Sequence, residues 1–218
     1  SNDFDAIVVG SGISGGWAAK ELTEKGLKVA LIERGKNTVH GKDYTGEGKA
    51  PWDLPYHGKI PEDTLNNEYF IQQQNYALNQ STKHFFVNDK ENPYKTKLDK
   101  PFSWIRGYQL GGRSLLWYRQ SYRWSEMDFS ANKKDGYGVD WPIRYKDIAS
   151  WYDYVETFAG ISGSKEDLPQ LPDGKFLPPM EMNCVELEVK KHIENKYPGR
   201  KMIIGRCAHL TKPTKEHL

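Results

Sequence analysis

The apolar positions open as a nearly continuous run, broken only by Asp5. Residues 4–9 carry Phe4, Ile7, Val8 and Val9 with little polar interruption, the pattern of a parallel strand buried on both faces. The run stops at Gly10-Ser11-Gly12-Ile13-Ser14-Gly15-Gly16. Beyond it Trp17, Ala18, Ala19, Leu22 and Leu27 recur at helical spacing, Lys20, Glu21, Glu24 and Lys25 take the other face, and Gly26 is placed to stop the helix. Residues 28–33 return to a short apolar run, Val29 through Ile32, that ends in Glu33. A strand, turn, helix and strand of these lengths is what a right-handed parallel crossover requires, and it predicts an α/β chain with a Rossmann-like βαβ unit.

No period survives between residues 36 and 101. Gly41, Gly46, Gly48, Pro51, Pro55, Gly58 and Pro61 break it, and Asn66-Asn67 and Gln72-Gln73-Gln74 make the stretch polar. Excursions of this length act as lids, binding loops or linkers, and the aromatic residues Trp52, Tyr56, Tyr69, Phe70 and Tyr76 favour a lid. Within it Phe85-Phe86-Val87 predicts a short strand, ended by Asn88-Asp89. Later, Pro142 opens a helix whose stripe of Ile148, Trp151, Tyr152, Val155 and Phe158 reads as core packing and ends at Gly160. Residues 162–179 are rich in Gly, Pro and Asp and predict a domain boundary, dividing the chain into residues 1–161 and 162–218. After it, residues 184–197 read as an amphipathic helix, Pro198-Gly199 as a turn and 201–204 as a strand.

Composition excludes more than it assigns. Among 218 residues, 31 Lys and Arg nearly balance 29 Asp and Glu, so no basic stripe points to nucleic acid or to a polybasic membrane patch. Lys133-Lys134 reads as a solvated loop. Seven Trp and 13 Tyr suit a globular chain with long surface segments or an aromatic-lined cleft. Cys184 and Cys207 have neither C-x-x-C spacing nor a paired histidine signature, so no zinc or thioredoxin-like site is expected, and nothing supports a disulfide between them. No stretch reaches the apolar length of a membrane span. With the first strand starting at Phe4 no signal peptide is expected, which leaves cytoplasm and periplasm both open.

The chemistry is concentrated in the glycines. Gly10 lets the strand turn, Gly12 lets backbone approach a pyrophosphate, and Gly15 lets the helix pack on the sheet. Free N–H groups at the helix start, with Ile13 and Ser14 among the residues supplying them, favour an anion without any basic side chain. Glu33, about 20 residues further on, is placed to accept the ribose hydroxyls of an adenosine, and a carboxylate there disfavours the 2′-phosphate of NADP. FAD and NAD both remain open on this segment. A second stretch, Leu110-Gly111-Gly112-Arg113-Ser114, again allows close backbone approach with the serine as donor, though a plain turn explains the residues equally well.

Taken together, the first unit, its ending Glu33-Arg34-Gly35 and the Leu110-Gly111-Gly112-x-Ser114 motif resemble the glucose-methanol-choline (GMC) oxidoreductases, FAD enzymes that oxidise alcohols and sugars. The likeness is greatest to the branch of bacterial sugar dehydrogenases and pyranose oxidase, to which a tryptophan at Trp117 is similar. The resemblance implies FAD held by Gly10, Gly12, Ile13, Ser14, Gly15, Glu33 and Arg34 on one side. On the other side it implies Arg106, Gly111, Gly112, Ser114 and Trp117, with the second motif running from the pyrophosphate toward the isoalloxazine ring. Where pyranose oxidase has a flavin-linked histidine this chain has Leu116, which implies noncovalent FAD. The stretch from Asp140-Trp141-Pro142 into the following aromatic helix also resembles the family.

The implied reaction is oxidation of a CH–OH group of a small alcohol or sugar with hydride transfer to flavin N5. The electron acceptor, and the choice between dehydrogenase and oxidase, are not legible. The family's catalytic base is a C-terminal histidine with no counterpart among His40, His57, His84, His192, His209 and His217, so no catalytic residue is assigned here. Family members are more than twice as long, which implies that this chain is an FAD-domain portion with the start of a substrate domain. Two alternatives stand beside this reading. One is an NAD-linked Rossmann dehydrogenase, which would need further strand–helix repeats after Gly35; the other is a noncatalytic nucleotide- or flavin-binding module.

Overall fold

The computed structural model describes residues 3–214. The chain divides into two compact units, Ser1–Trp117 and Tyr118–Leu218, a junction upstream of the composition change at residue 162.

In the first unit β1 (Ala6–Val9), α1 (Ile13–Glu24) and β2 (Val29–Ile32) form the expected crossover. The strands are parallel, in the register Ala6↔Val29 to Val9↔Ile32. Two contacts extend the pairing: the Asp5 amide donates to Lys28 O at 2.9 Å, and the Gly10 amide to Ile32 O at 2.7 Å. Burial differs from the expectation. Val8 is buried, but Ile7 is 65% and Val9 80% exposed. The reason is geometric: alternate side chains point to opposite faces, and α1 covers the face that carries Val8, which lies beside Gly15.

The irregular excursion is less of a surface loop than its composition predicts. It contributes α2 (Glu62–Glu68) and much of the unit's core, in which Tyr69, Ala77 and Phe86 pack with Leu65, Leu78, Ile105 and Leu116. Trp52, Tyr56 and Tyr76 stay exposed. Gln72, in the polar run Gln72-Gln73-Gln74, is fully buried. Its Nε2 donates to Asp89 Oδ1 at 2.8 Å and to Trp104 O at 3.0 Å, and its Oε1 accepts from the Arg106 amide at 2.9 Å. Asp89 Oδ2 accepts from the Ile71 and Gln72 amides at 2.8 and 3.1 Å. A buried polar side chain is stable only when so satisfied. The strand predicted at Phe85-Phe86-Val87 is absent. Lys83–Phe85 is a 3-10 turn, and one ladder-like bond follows, from the Val87 amide to Arg106 O at 3.0 Å.

The second unit holds α3 (Glu126–Asp135), α4 (Tyr145–Ala159) and α5 (Cys184–Lys196), with β3 (Ile161–Ser162) antiparallel to β4 (Cys207–Ala208). Gly160 ends α4 as expected, but the stripe of that helix is only partly covered: Ile148, Tyr152 and Phe158 are half-buried, whereas Trp151 and Val155 are exposed. Trp151 is 63% exposed while Glu156 is buried. Arg123 decides this: its Nε donates to Glu156 Oε1 at 2.8 Å, Nη2 reaches Glu156 Oε2 and, at 2.6 Å, Asp153 Oδ1, and Nη1 donates to Tyr145 at 3.0 Å. α5 falls within the expected 184–197 and is capped by Asn183, a residue that the sequence pattern does not mark. Asn183 Oδ1 accepts from the Val185 and Glu186 amides, both at 3.0 Å, and Glu186 returns a bond to the Asn183 amide at 2.8 Å. The strand predicted at 201–204 instead falls at Cys207–Ala208, and both cysteines are free thiols.

Candidate functional site

The site grows from the turn between β1 and α1. Gly10 sits at φ +90°, which reverses the chain as it leaves the strand. A Cβ on Gly15 would overlap the carbonyl oxygen of Gly10 and touch Val8 Cγ1 at 3.5 Å, so the absence of a side chain brings α1 down onto β1. Gly12 is different. A Cβ there would meet no atom within 4 Å, so its bare backbone faces open space at the helix start. Neither a capping side chain nor an acidic residue in the first turn serves α1. The amides of Ile13, Ser14 and Gly15 therefore have no intrahelical acceptor, and the positive end of the macrodipole is available to an anion.

Glu33 closes the other end of this half-site. Its Oε2 accepts from the amide and the hydroxyl of Ser11 at 2.8 and 2.7 Å, and its Oε1 accepts from the Gly35 amide at 2.8 Å. The Ser11 hydroxyl first, then the Ser11 and Gly35 amides, hold its pKa down at about 2. The carboxylate is thus ionised throughout the physiological range and fixed in direction. An ionised carboxylate offers about four lone-pair sites, so capacity for a further donor such as a ribose hydroxyl remains. Ser11 was absent from the residues marked by the sequence. Its signal is slight: a small hydroxylic residue between the first two glycines.

The second glycine motif docks on the first. Gly111 has φ +89° and starts a 3-10 turn, Gly112–Leu116. Its amide donates to Ser11 Oγ at 2.9 Å. A Cβ on Gly112 would lie 3.5 Å from the Cα of Gly12, which puts the two motifs at van der Waals range. Upstream, the Leu110 amide donates to Lys36 O at 2.8 Å, and a side chain on Gly35 would overlap the backbone of Gln109. Ser114 Oγ donates to Gly111 O at 2.7 Å and so braces its own turn.

The structure therefore gathers Gly10, Gly12, Ile13, Ser14, Gly15, Glu33, Gly111, Gly112 and Ser114 around Ser11. Arg34 lies alongside, exposed, with its guanidinium 3.8 Å from the centroid of Tyr108. Arg106 is not presented to this space. It is buried, donates to Asn92 O, to Trp104 O at 3.3 Å and to Tyr108 Oη at 3.0 Å, and is ringed by Tyr94, Trp104 and Tyr108. Trp117 is exposed at the end of the 3-10 turn, and Leu116 packs against the core.

Among the described histidines, His40 and His84 both lie beside Tyr44. His40 pairs with Glu47 Oε1 at 2.7 Å. The ring of His84 faces inward beside Tyr44 and Phe85, and burial lowers its pKa. His217 lies outside the described residues. Among the described residues no group of His, Cys, Asp and Glu could hold a metal ion, and no helix is long and apolar enough to cross a membrane. What the gathered residues can do is bind an anionic diphosphate through backbone N–H groups and a diol through Glu33.

Residues 8–54, which span most of this half-site, match the family of NAD(P)-binding Rossmann-like domains. Over 181 residues the chain is 27% identical to a 2-methyl-1,2-propanediol dehydrogenase of Mycolicibacterium austroafricanum, covering 79% of this chain and 27% of that protein. It is 25% identical over 166 residues to the paromamine 6'-oxidase of Streptomyces fradiae, covering 75% and 24% of the two chains. A gluconate 2-dehydrogenase flavoprotein of Pantoea cypripedii is 28% identical over 172 residues, covering 73% and 26%. The chain spans about a quarter of the length of these relatives. It carries a Rossmann-like nucleotide-binding region, α/β in class, and its distant relatives are dehydrogenases and oxidases of small molecules.

Proposed function

We propose that this chain is the nucleotide-binding part of an FAD-dependent oxidoreductase of the GMC type, acting on a CH–OH group of an alcohol or sugar. The observation that carries the proposal is the docking of the second glycine motif on the first, through Gly111, Ser11 and Glu33 and through Gly112 and Gly12. A simple NAD turn has no need of a second bare backbone segment beside its pyrophosphate position. The relative named as a flavoprotein supports the same cofactor. In this reading the Ile13, Ser14 and Gly15 amides and the open backbone at Gly12 take the pyrophosphate, and Glu33 takes the ribose. Gly111, Gly112 and Ser114 form the facing wall, and Trp117 leads toward the flavin ring. The inward position of Arg106 gives it a bracing role.

Bound there, FAD would supply the hydride acceptor. The chain's own contribution is orientation and the direction of a fixed negative charge. Leu116 offers no nucleophilic atom, so FAD is held without a covalent bond. The substrate domain would begin near residue 162, and the base that removes the hydroxyl proton is expected elsewhere in the full-length protein. Acid precipitation of the purified full-length protein tests this reading, because noncovalent FAD appears in the supernatant. Yellow colour retained by the pellet overturns the noncovalent claim. A colourless protein that reduces NAD with an alcohol or sugar transfers the reading to the NAD-linked class.

A further inference from the structure

We propose that Ser11 is a positioning residue that ties the ribose-binding carboxylate to both glycine turns, so that the adenosine and pyrophosphate ends of a dinucleotide bind as one coupled site. This rests on the dinucleotide reading above. The Ser11 hydroxyl has one proton and two lone pairs. Its proton goes to Glu33 Oε2 at 2.7 Å, and a lone pair receives the Gly111 amide at 2.9 Å. The backbone of the same residue donates to the same carboxylate oxygen at 2.8 Å.

Direction follows from this arrangement. Because the Gly111 amide needs an acceptor, the hydroxyl proton must point away from it and onto Glu33. Ser11 is therefore no donor to a phosphate; it sets where the real donors and the carboxylate stand. Its neighbours cannot substitute for it. Ser114 Oγ is turned onto Gly111 O at 2.7 Å, and the Gly35 amide reaches Glu33 on the other oxygen. Arg34, the charged side chain next to Glu33, is stacked on Tyr108. Through Ser11 a residue 22 positions away and one 100 positions away share a single hydroxyl.

Alanine at position 11 keeps the backbone bond and loses the bridge; threonine keeps both. In the full-length protein, Ser11→Ala should weaken binding of FAD and of ADP-ribose by about tenfold or more, the scale of one charge-assisted hydrogen bond, and Ser11→Thr should restore most of it. Acid release of FAD should begin at a higher pH in Ser11→Ala, since Glu33 has lost a donor that holds it ionised. In a cycle with Glu33→Gln, the double variant should bind no worse than the weaker single variant, because both changes break the same link. Unchanged affinity and an unchanged release pH in Ser11→Ala overturn the proposal, as do strictly additive losses in the cycle. If Ser11→Ala folds poorly, Ser11→Cys, whose thiol is a weak donor and acceptor, takes its place in the cycle and should show the same non-additivity with Glu33→Gln. Wild-type protein that binds ADP-ribose but no FAD leaves the role of Ser11 standing and removes the flavin. Protein that binds neither removes both.

Discussion

Replacing Glu33 by glutamine keeps the size of the side chain and removes its charge. The present carboxylate faces donors on both oxygens, Ser11 on Oε2 and Gly35 on Oε1. A glutamine can turn its oxygen to one side only, and its NH2 then opposes an N–H or O–H on the other. The drop of the Glu33 pKa from 4.5 to about 2 would correspond to roughly 3 kcal/mol if fully expressed. Glu33 is part-exposed, and solvent screening reduces this to about 1–2 kcal/mol.

The sign follows from the depressed value. The stabilisation is complete above the unfolded pKa near 4.5 and disappears as the pH falls through about 2. Amide exchange at Ser11 and Gly35 in the full-length protein reads it locally. Glu33→Gln should exchange about five- to thirtyfold faster than wild type at pH 7 and pH 5, with the ratio shrinking toward unity between pH 4.5 and 2. No acceleration at pH 7, or a ratio that stays flat down to pH 3, would refute the assignment of the charge to these bonds.

Gly12→Ala and Gly15→Ala should separate function from fold. Gly12 has φ −62° and an open Cβ position, so alanine should leave the urea midpoint within about 0.5 kcal/mol of wild type while weakening dinucleotide binding at least about tenfold. Gly15→Ala drives its Cβ into the Gly10 carbonyl and should destabilise by about 1–3 kcal/mol; equal midpoints for the two variants would contradict the packing described. Glu156→Gln leaves the buried Arg123 with Asp153 as its remaining carboxylate and should lose about 1–3 kcal/mol, with the double change Arg123→Met/Glu156→Leu losing distinctly less in the same unfolding assay. Asn183→Ala removes the cap of α5 and should lower stability by about 1 kcal/mol, visible as faster amide exchange at Val185 and Glu186.

What the sequence made legible was local. The β1–α1–β2 crossover followed from apolar period and glycine placement alone, and the amphipathic pattern of residues 184–197 marked α5. What it hid depended on distant partners. Gln72 stands in a run of three glutamines with identical composition, and only Asp89, Trp104 and Arg106 make it interior. Glu156 looked like the polar side of an aromatic helix until Arg123 claimed it. Arg106 carried the charge of a ligand-binding residue, yet three aromatic rings and the Asn92 carbonyl take it inside. In the site, the glycines were readable because their use is steric, whereas the role of Ser11 depends on Gly111, far away in the chain.

Gln72 also constrains the order of events as the chain is made. All three partners of its side chain lie downstream, at Asp89, Trp104 and Arg106. Contacts of that separation form only after a loop has closed, and a nascent chain cannot close a loop whose far end is still untranslated. The βαβ crossover can assemble early from what it already contains. The core beneath the excursion must wait until Arg106 has emerged, and Gly111 and Gly112 follow it at once. The second glycine turn thus arrives on a first that is already in place, so the nucleotide cradle is completed late, by one docking step.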